Sequence, residues 1–366
     1  MTHLASRMCV STLFFFGCGA SLNAQSPLPT ACTDGVTITP GTQPNDDQGQ
    51  PIQAHGGSII KAGDRFYWYG EAPRDVTCGE PFGCFTGVNA YSSVDLQTWH
   101  NEGTVLGPRA GGPLSPELGV AYRPKVLYNA WTQTYVMILT ECCATDSPDY
   151  NGHLVWATAS TPFGPFSYLS ASYGANQART MDVGVFINDN GLAFIVYSDN
   201  NDGISIDQLS DDYLSVAMRI AHISNGCEEA PSLIEANNNY YLFNSYCSGW
   251  QPNQNHYRIA PSLVGPWSTV PDGNIGDGTT YNSQGGYILA VSGTVSTTYI
   301  YIGDRWDWQC APCTEATAKY VWLPLQLGSS SASMSWLDRW YLDLPTGTWS
   351  SDADCTAGGS GHLSPY

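Results

Sequence analysis

The residues best suited to chemistry in this 366-residue chain are carboxylates set beside turns and aromatic strands. Glu229 lies in CEEAPSLIEANNNYYLF, where Pro231 and the run at 232–236 put it at a strand start rather than on a free loop. Asp182 lies in RTMDVGVFINDNG, one step before another strand. Glu71 and Asp304 each end an aromatic run, RFYWYGE and YIYIGD. Converging carboxylates between aromatic walls are the equipment for cleaving a glycosidic bond. One acid protonates the leaving oxygen, a base activates water, and rings stack on sugar faces. Taken singly, each acid reads as well as a solvated turn residue. As a set they recur at matching points of a repeat, and that favours chemistry.

The repeat is a turn signal followed by a short strand rich in Tyr, Phe and Trp. Its copies are GDRFYWYGE at 63–71, WTQTYVMILT at 131–140, DNGLAFIVYS at 189–198, NNNYYLFNSY at 237–246 and STTYIYIGDRW at 296–306. They lie roughly 45 to 70 residues apart, the interval of a four-stranded propeller blade. In a propeller, equivalent ends of the inner strands face one axial pocket, so these acids would meet there. TPFGPFSYL at 161–169 echoes PSLVGPWSTV at 261–270, each with a Gly-Pro turn before an aromatic strand start.

Composition agrees with an all-β chain. There are 22 Tyr, 12 Trp, 38 Gly and 23 Pro with only 12% charged residues, and no long segment carries a helical apolar period. No linker breaks the stretch 51–345, which reads as one domain. Residues 25–50 read as a loose lead-in, LGSSSASMSW at 327–336 as a hairpin loop, and 346–366 as a tail held only near Cys355. Residues 1–24 read as a secretory signal: Arg7, a short apolar core at 10–16, then small residues. The expected location is therefore extracellular. Ten cysteines follow the signal, an even number that suggests disulfides. The simplest pairs are Cys78–Cys84, Cys310–Cys313, Cys227–Cys247 and, clasping the two ends, Cys32–Cys355. A redox role for CAPC at 310–313 lacks its βαβ context, and no zinc-ligand spacing occurs. The net charge of −19 repels nucleic acid and anionic lipid. Nucleophile-elbow, phosphate-loop, dinucleotide and zinc-protease motifs are all missing from the sequence. INDNG at 187–191 reads as a hairpin turn rather than a calcium loop.

The motifs AHGGSIIKAGDRFYWYGE (54–71), YRPKVLYN (122–129), MDVGVFINDNG (181–191), EAPSL (229–233), SGWQPN (248–253), YNSQGG (281–286) and GDRW (303–306) together resemble glycoside hydrolase family 43. The resemblance spans about 53–344 and is nearest to the exo-β-1,3-galactanase branch. It implies an all-β, five-bladed β-propeller that cuts from the non-reducing end with inversion. It implies Glu229 as general acid, with Asp182 holding it and keeping its pKa high. The family's usual Asp base falls where this chain reads Ala54-His55-Gly56. The galactanase branch shares that loss and uses a Gln, matched here by Gln284, either as base or as a holder of water. Glu71, Tyr150, Ser248 and Trp250 match sugar-pocket positions, and Arg305 and Trp306 sit in a motif typical of the branch. The alternatives are core aromatics for the two Trp and a structural ion pair for Arg305. Tyr122 stands where the branch carries a Glu that grips the terminal sugar, which bears directly on which sugar fits.

The expected partner is thus an oligo- or polysaccharide, with no nucleic acid, no membrane and a monomeric chain. No cofactor or catalytic metal is expected, and a structural calcium at the axis is left open. The leading function is galactan 1,3-β-galactosidase. The alternatives are an α-L-arabinofuranosidase or β-xylosidase of the same family, and a sugar-binding propeller without catalysis.

Overall fold

The structure is a computed structural model and describes residues 29–79, 83–116, 120–142, 152–199, 202–268, 273–307 and 315–356. The signal at 1–24, Tyr150 and the Cys310–Cys313 pair lie outside the described residues.

The fold is all-β. Strands His55–Ala62, Arg65–Glu71, Val88–Ser93 and His100–Leu106 form an antiparallel meander, sheet I. Sheet II follows with Val120–Asn129, Thr134–Cys142, His153–Ala159 and Ser167–Ser172. Sheet III is Thr180–Ile187, Ala193–Asp199, Ile204–Leu209 and Val216–Ile223. Sheet IV has three described strands, Glu228–Ala236, Asn239–Tyr246 and His256–Ala260. Sheet V is Gln284–Ser292, Thr297–Arg305, Lys319–Gly328 and Ser331–Ser333. The first strand of each sheet touches the first strand of the next, and that of sheet V touches that of sheet I.

Packing explains the aromatic runs. Successive side chains of a strand point to opposite faces. In sheet I, Phe66 and Trp68 pack toward Ile300 and Trp322 of sheet V, while Tyr67 and Tyr69 pack toward Met137 and Val155 of sheet II. Both faces are buried, so the strand reads as continuous apolar sequence rather than as an alternation. Separate cores fill the spaces between II and III, III and IV, and IV and V.

Two stretches expected to be loose are ordered. Thr30–Asp34 is a short helix and Val36–Ile38 a strand, paired with Trp340–Asp343, which in turn pairs with Thr348–Ser351. The Cys32–Cys355 disulfide ties this small sheet's outer ends together. Lead-in and tail are held because each adds a strand to one side of Trp340–Asp343. The Ser-rich segment at 327–336 likewise contains a short strand, Ser331–Ser333, pairing back on 326–328. The disulfides Cys78–Cys84 and Cys227–Cys247 also form as expected.

One irregularity recurs in all five sheets. Near the start of each first strand the register slips, between 55 and 58, 122 and 125, 181 and 183, 229 and 232, and 285 and 287. Each slip is a bulge that leaves an extra residue on the first strand and re-aims the side chains around it. Gly56, Arg123, Asp182 and Ala230 adopt positive φ there. Glu229 and Gln284 thus arise at matching places in neighbouring sheets.

Candidate active site

The bulged ends of the first strands surround a pocket of about 200 Å³ whose lining includes Glu71, Tyr122, Arg123, Asp182, Glu229, Trp250, Gln284 and Trp306. A larger cavity of about 620 Å³ opens at the other end of the same strands. Its deep lining is Ile59, Val126, Val185 and Ile288, and the acids at its edge, Asp189 and Glu235, are exposed. Buried carboxylates line the smaller pocket, so the chemistry belongs there.

Arg123 is the hub. It is buried, and its Nε donates to Asp182 Oδ1 at 3.0 Å. Its Nη2 donates to Gln284 Oε1 at 2.6 Å, and its backbone N–H to Glu71 Oε1 at 3.0 Å. One residue of sheet II therefore fixes groups on sheets I, III and V. Charge-assisted bonds in a low-dielectric site are strong and directional.

Glu229 is the group whose proton is poised. Burial, and after it the like charge of Asp182, push its carboxyl up to about 7. Arg123, the Gln284 amide and the Ser248 backbone N–H pull the other way without cancelling them. Asp182 does not reach Glu229 directly. Its Oδ2 accepts the Ala230 N–H at 2.8 Å, which clamps the bulge beside Glu229. The adjacent Glu228 shows how environment separates two neighbours. Burial would raise it too, but His256, Arg258 and Asn225 hydrogen-bond its carboxylate and hold it at about 2.

Gln284 is fixed at both ends. Its Oε1 accepts from Arg123 Nη2 and from Trp306 Nε1 at 3.0 Å. Its Nε2 donates to Glu229 Oε2 at 3.1 Å and Ser245 Oγ at 3.2 Å. Flipping the amide would turn its N–H groups onto two donors, so the partners dictate this orientation. Glu229 Oε2 thereby accepts the Gln284 N–H, which favours the other oxygen, Oε1, for an acidic proton. A carboxyl protonated near neutrality, with that proton facing a pocket, can protonate a leaving oxygen.

The remaining wall is aromatic and apolar. Trp250 meets Trp306 edge-on at 5.1 Å, and the Arg74 guanidinium lies 5.1 Å over Trp250. Arg74 also holds Glu71 Oε2 at 2.9 Å. Tyr122 is 9% exposed and packs with Val120 and Met181, its hydroxyl 3.7 Å from the Met181 sulfur. Burial keeps that phenol neutral by raising its pKa.

Gly56 is where backbone and site collide. Its φ is +58°, and a Cβ there would stand 2.6 Å from Glu71 Oε1. Gly56→Ala must strain the bulge, by about 1–2 kcal/mol, and push Glu71 off the Arg123 N–H. A loss of kcat/KM larger than the loss of thermal stability is expected. Steady-state kinetics beside a melting curve check it, and unchanged kcat/KM would contradict this role for Glu71.

Residues 50–290 match the family model for glycosyl hydrolases family 43. The chain belongs to that family. It is a glycoside hydrolase. Among solved structures, it is similar to an exo-β-1,3-galactanase from Clostridium thermocellum at 33% identity and TM-score 0.78, covering 86% of this chain and 68% of that one. It is also similar to a variant of the Phanerochaete chrysosporium exo-β-1,3-galactanase with β-1,3-galactotriose, at 31% identity and TM-score 0.76, covering 86% and 70%. A family-43 β-1,3-galactosidase with galactodeoxynojirimycin matches at 26% identity and TM-score 0.72, covering 82% and 99%. No curated protein matches in sequence.

Of the residues singled out in the sequence, Glu229, Asp182, Gln284, Glu71, Tyr122, Trp250 and Trp306 line this one pocket. Ser248 reaches Glu229 only through its backbone N–H, while its hydroxyl bonds Gln251 O and Asn253. Arg305 is not in the described lining. It donates to the carbonyls of Tyr281 and Asn282 and lies over Trp336, so it braces the loop leading to Gln284. Asp304, expected to converge on the pocket, instead faces His55 Nδ1 at 3.2 Å and the Gly56 N–H at 3.0 Å. His55 itself is fully buried and stacked on Tyr320, outside the described lining, so it does not substitute for a missing base there. Arg123, Arg74 and Lys125 escaped the sequence reading. A signal was available: they are among only 13 Lys and Arg, and two sit in one apolar strand.

Proposed function

We propose that this family-43 enzyme is a secreted, inverting exo-β-1,3-galactanase built as a five-bladed β-propeller. Five meanders with first strands in cyclic contact support the architecture. The disulfides suggest an extracellular protein, and the 1–24 leader supports secretion. Among the described residues no helix is long and apolar enough to cross a membrane.

The observation that carries the reading is the Glu229 carboxyl, raised to about 7 beside Asp182 and tied to Gln284 in a small pocket. Glu229 protonates the glycosidic oxygen through Oε1. Asp182 keeps it protonated and braces its bulge. Gln284 holds Glu229 by donating to its Oε2 and does not take the water's proton on Oε1, because Arg123 and Trp306 fill both acceptor positions of that oxygen; the attacking water gives its proton to bulk solvent as its bond to the anomeric carbon forms. Trp250 and Trp306 stack on the sugar, and Glu71 receives a hydroxyl. A pocket near 200 Å³ suits one terminal unit, which supports exo action. The galactanase choice rests on neighbours at about 30% identity.

A second reading within the family is favoured by the Val120–Tyr122–Met181 corner, which offers a terminal sugar little hydrogen bonding. A pentose would lose less there than galactose. The deciding test is hydrolysis of linear β-1,3-galactan beside arabinofuranosides and xylosides, followed by chromatography and by the anomer first released. Galactose released as the inverted anomer is expected. Cleavage of a pentoside alone moves the enzyme to the second reading, and sugar binding without turnover on any substrate overturns catalysis.

A further inference from the structure

Beneath the pocket lies a second buried cation that the proposed chemistry does not use. Lys125 follows Arg123 by two residues on the same strand and has no exposed surface. Its Nζ donates to Gly56 O at 2.5 Å and lies 3.4 Å from Arg123 O. These are the carbonyls of the two bulge residues at φ +58° and +56°, one on sheet I and one on sheet II. Among the described residues its hydrogen-bond partners are these neutral carbonyls; an ammonium so held is expensive to bury, and a Met of similar length would fill the same volume without that cost. What the charge does offer is a field. Asp182, Glu71 and Asp304 attract it and Arg123 repels it, while Asp304 is itself bonded to His55.

We propose that Lys125 is the positioning residue of this active site: its ammonium locks the bulges of sheets I and II together, setting where Arg123 holds Glu71, Asp182 and Gln284, and balances the negative charge of the two carboxylates. The proposal goes beyond the reading of Glu229 as general acid but rests on it. Lys125 touches no substrate. It acts through the Arg123 backbone, whose N–H bonds Glu71 and whose side chain bonds the other two.

Charge and titration make this testable without any variant. Burial, then the repulsion of Arg123, lower the Lys125 pKa to about 7. Its charge is present below that pH and lost above it. Glu229 loses its proton in the same window. If both must be protonated, log kcat/KM of the wild-type enzyme falls on the basic side with a limiting slope of about −2, where one group alone gives about −1. Lys125→Met should lower kcat/KM at pH 6 by about 100-fold, the scale of a small misplacement. Its remaining basic limb should have the slope of a single proton. A packing role would move the melting temperature but not the proton count. A wild-type slope of about −1 overturns the proposal, as does a Lys125→Met enzyme with undiminished kcat/KM. Should that variant not fold, the wild-type slope decides alone. Glu229→Gln is measured alongside: activity surviving in it refutes the acid assignment, a failure distinct from the one-proton slope.

Discussion

Replacing Glu229 with Gln is expected to lower kcat on a β-1,3-galactan oligosaccharide by about 10²–10⁴-fold while leaving binding nearly intact. The amide keeps the size of the side chain and can still meet Gln284 and the Ser248 N–H, so the pocket holds its shape. It cannot deliver a proton to the leaving oxygen, and that interaction exists only in the transition state. The wild-type basic limb should fall near pH 7, where the raised carboxyl ionises, and the variant's residual activity should lose that proton from the limb and keep only the one-proton fall that Lys125 contributes. Stability moves oppositely. A carboxyl raised in the folded state above its unfolded value, about 4.3, adds stability at low pH that is lost as pH rises through 7. Above that pH the wild type holds an ionised, half-buried Glu229 beside Asp182, and the variant does not. Glu229→Gln should therefore melt higher than wild type at pH 8 and show little advantage at pH 4. Calorimetry at both values with titration by oligosaccharide checks the set. A variant with wild-type kcat would remove Glu229 from the chemistry, and one that no longer binds would make it a structural residue.

The elements that carry the site were legible because their cause is local. RFYWYGE and YLFNSY read as strands from aromatic and β-branched content, and burial on both faces explains why they lack alternation. Glu229 and Asp182 were legible as carboxylates at strand starts. The bulges were not, because a register slip is a relation between two strands. Nothing in YRPK or EAPS alone announces that position 123 or 230 takes a left-handed φ. The fates of Asp304 and Arg123 follow from that. Ending a strand placed Asp304 near the axis, but the bulge at Gly56 turns a backbone N–H and His55 onto it and draws it away from the pocket. A pattern of acids does not announce Arg123, yet the burial of Glu71 and Asp182 in one pocket demands a cation beside them. The lead-in at 25–50 was misjudged for a related reason. Its Pro- and Thr-rich composition is that of a loop, and only pairing with a strand some 300 residues away makes 36–38 a strand.

The same cation demand predicts the second large effect. Arg123→Met should lower kcat/KM by about 10³-fold and destabilise the fold by about 3–5 kcal/mol, the cost of leaving buried charges without their partner. Three consequences separate it from a general packing defect. Asp182 loses its ion pair with the Arg123 guanidinium, so its hold on the bulge beside Glu229 is no longer anchored to sheet II. Gln284 keeps only Trp306 on Oε1, so the amide can rotate and its hold on Glu229 weakens. Arg123 also lowers the Glu229 pKa, so its removal lets that carboxyl rise further and carries the basic limb of the residual activity above pH 7. Arg123→Lys should not rescue the enzyme. A single ammonium cannot span Asp182 on sheet III and Gln284 on sheet V in the forked geometry of a guanidinium. It should instead recover part of the stability, because charge balance returns without the geometry. Stability regained without activity is the signature to look for, by denaturant unfolding beside pH-dependent kinetics. If Lys restored both together, Arg123 would be a counter-charge only, and the arrangement of Gln284 and Glu229 would have to be set from elsewhere in the pocket.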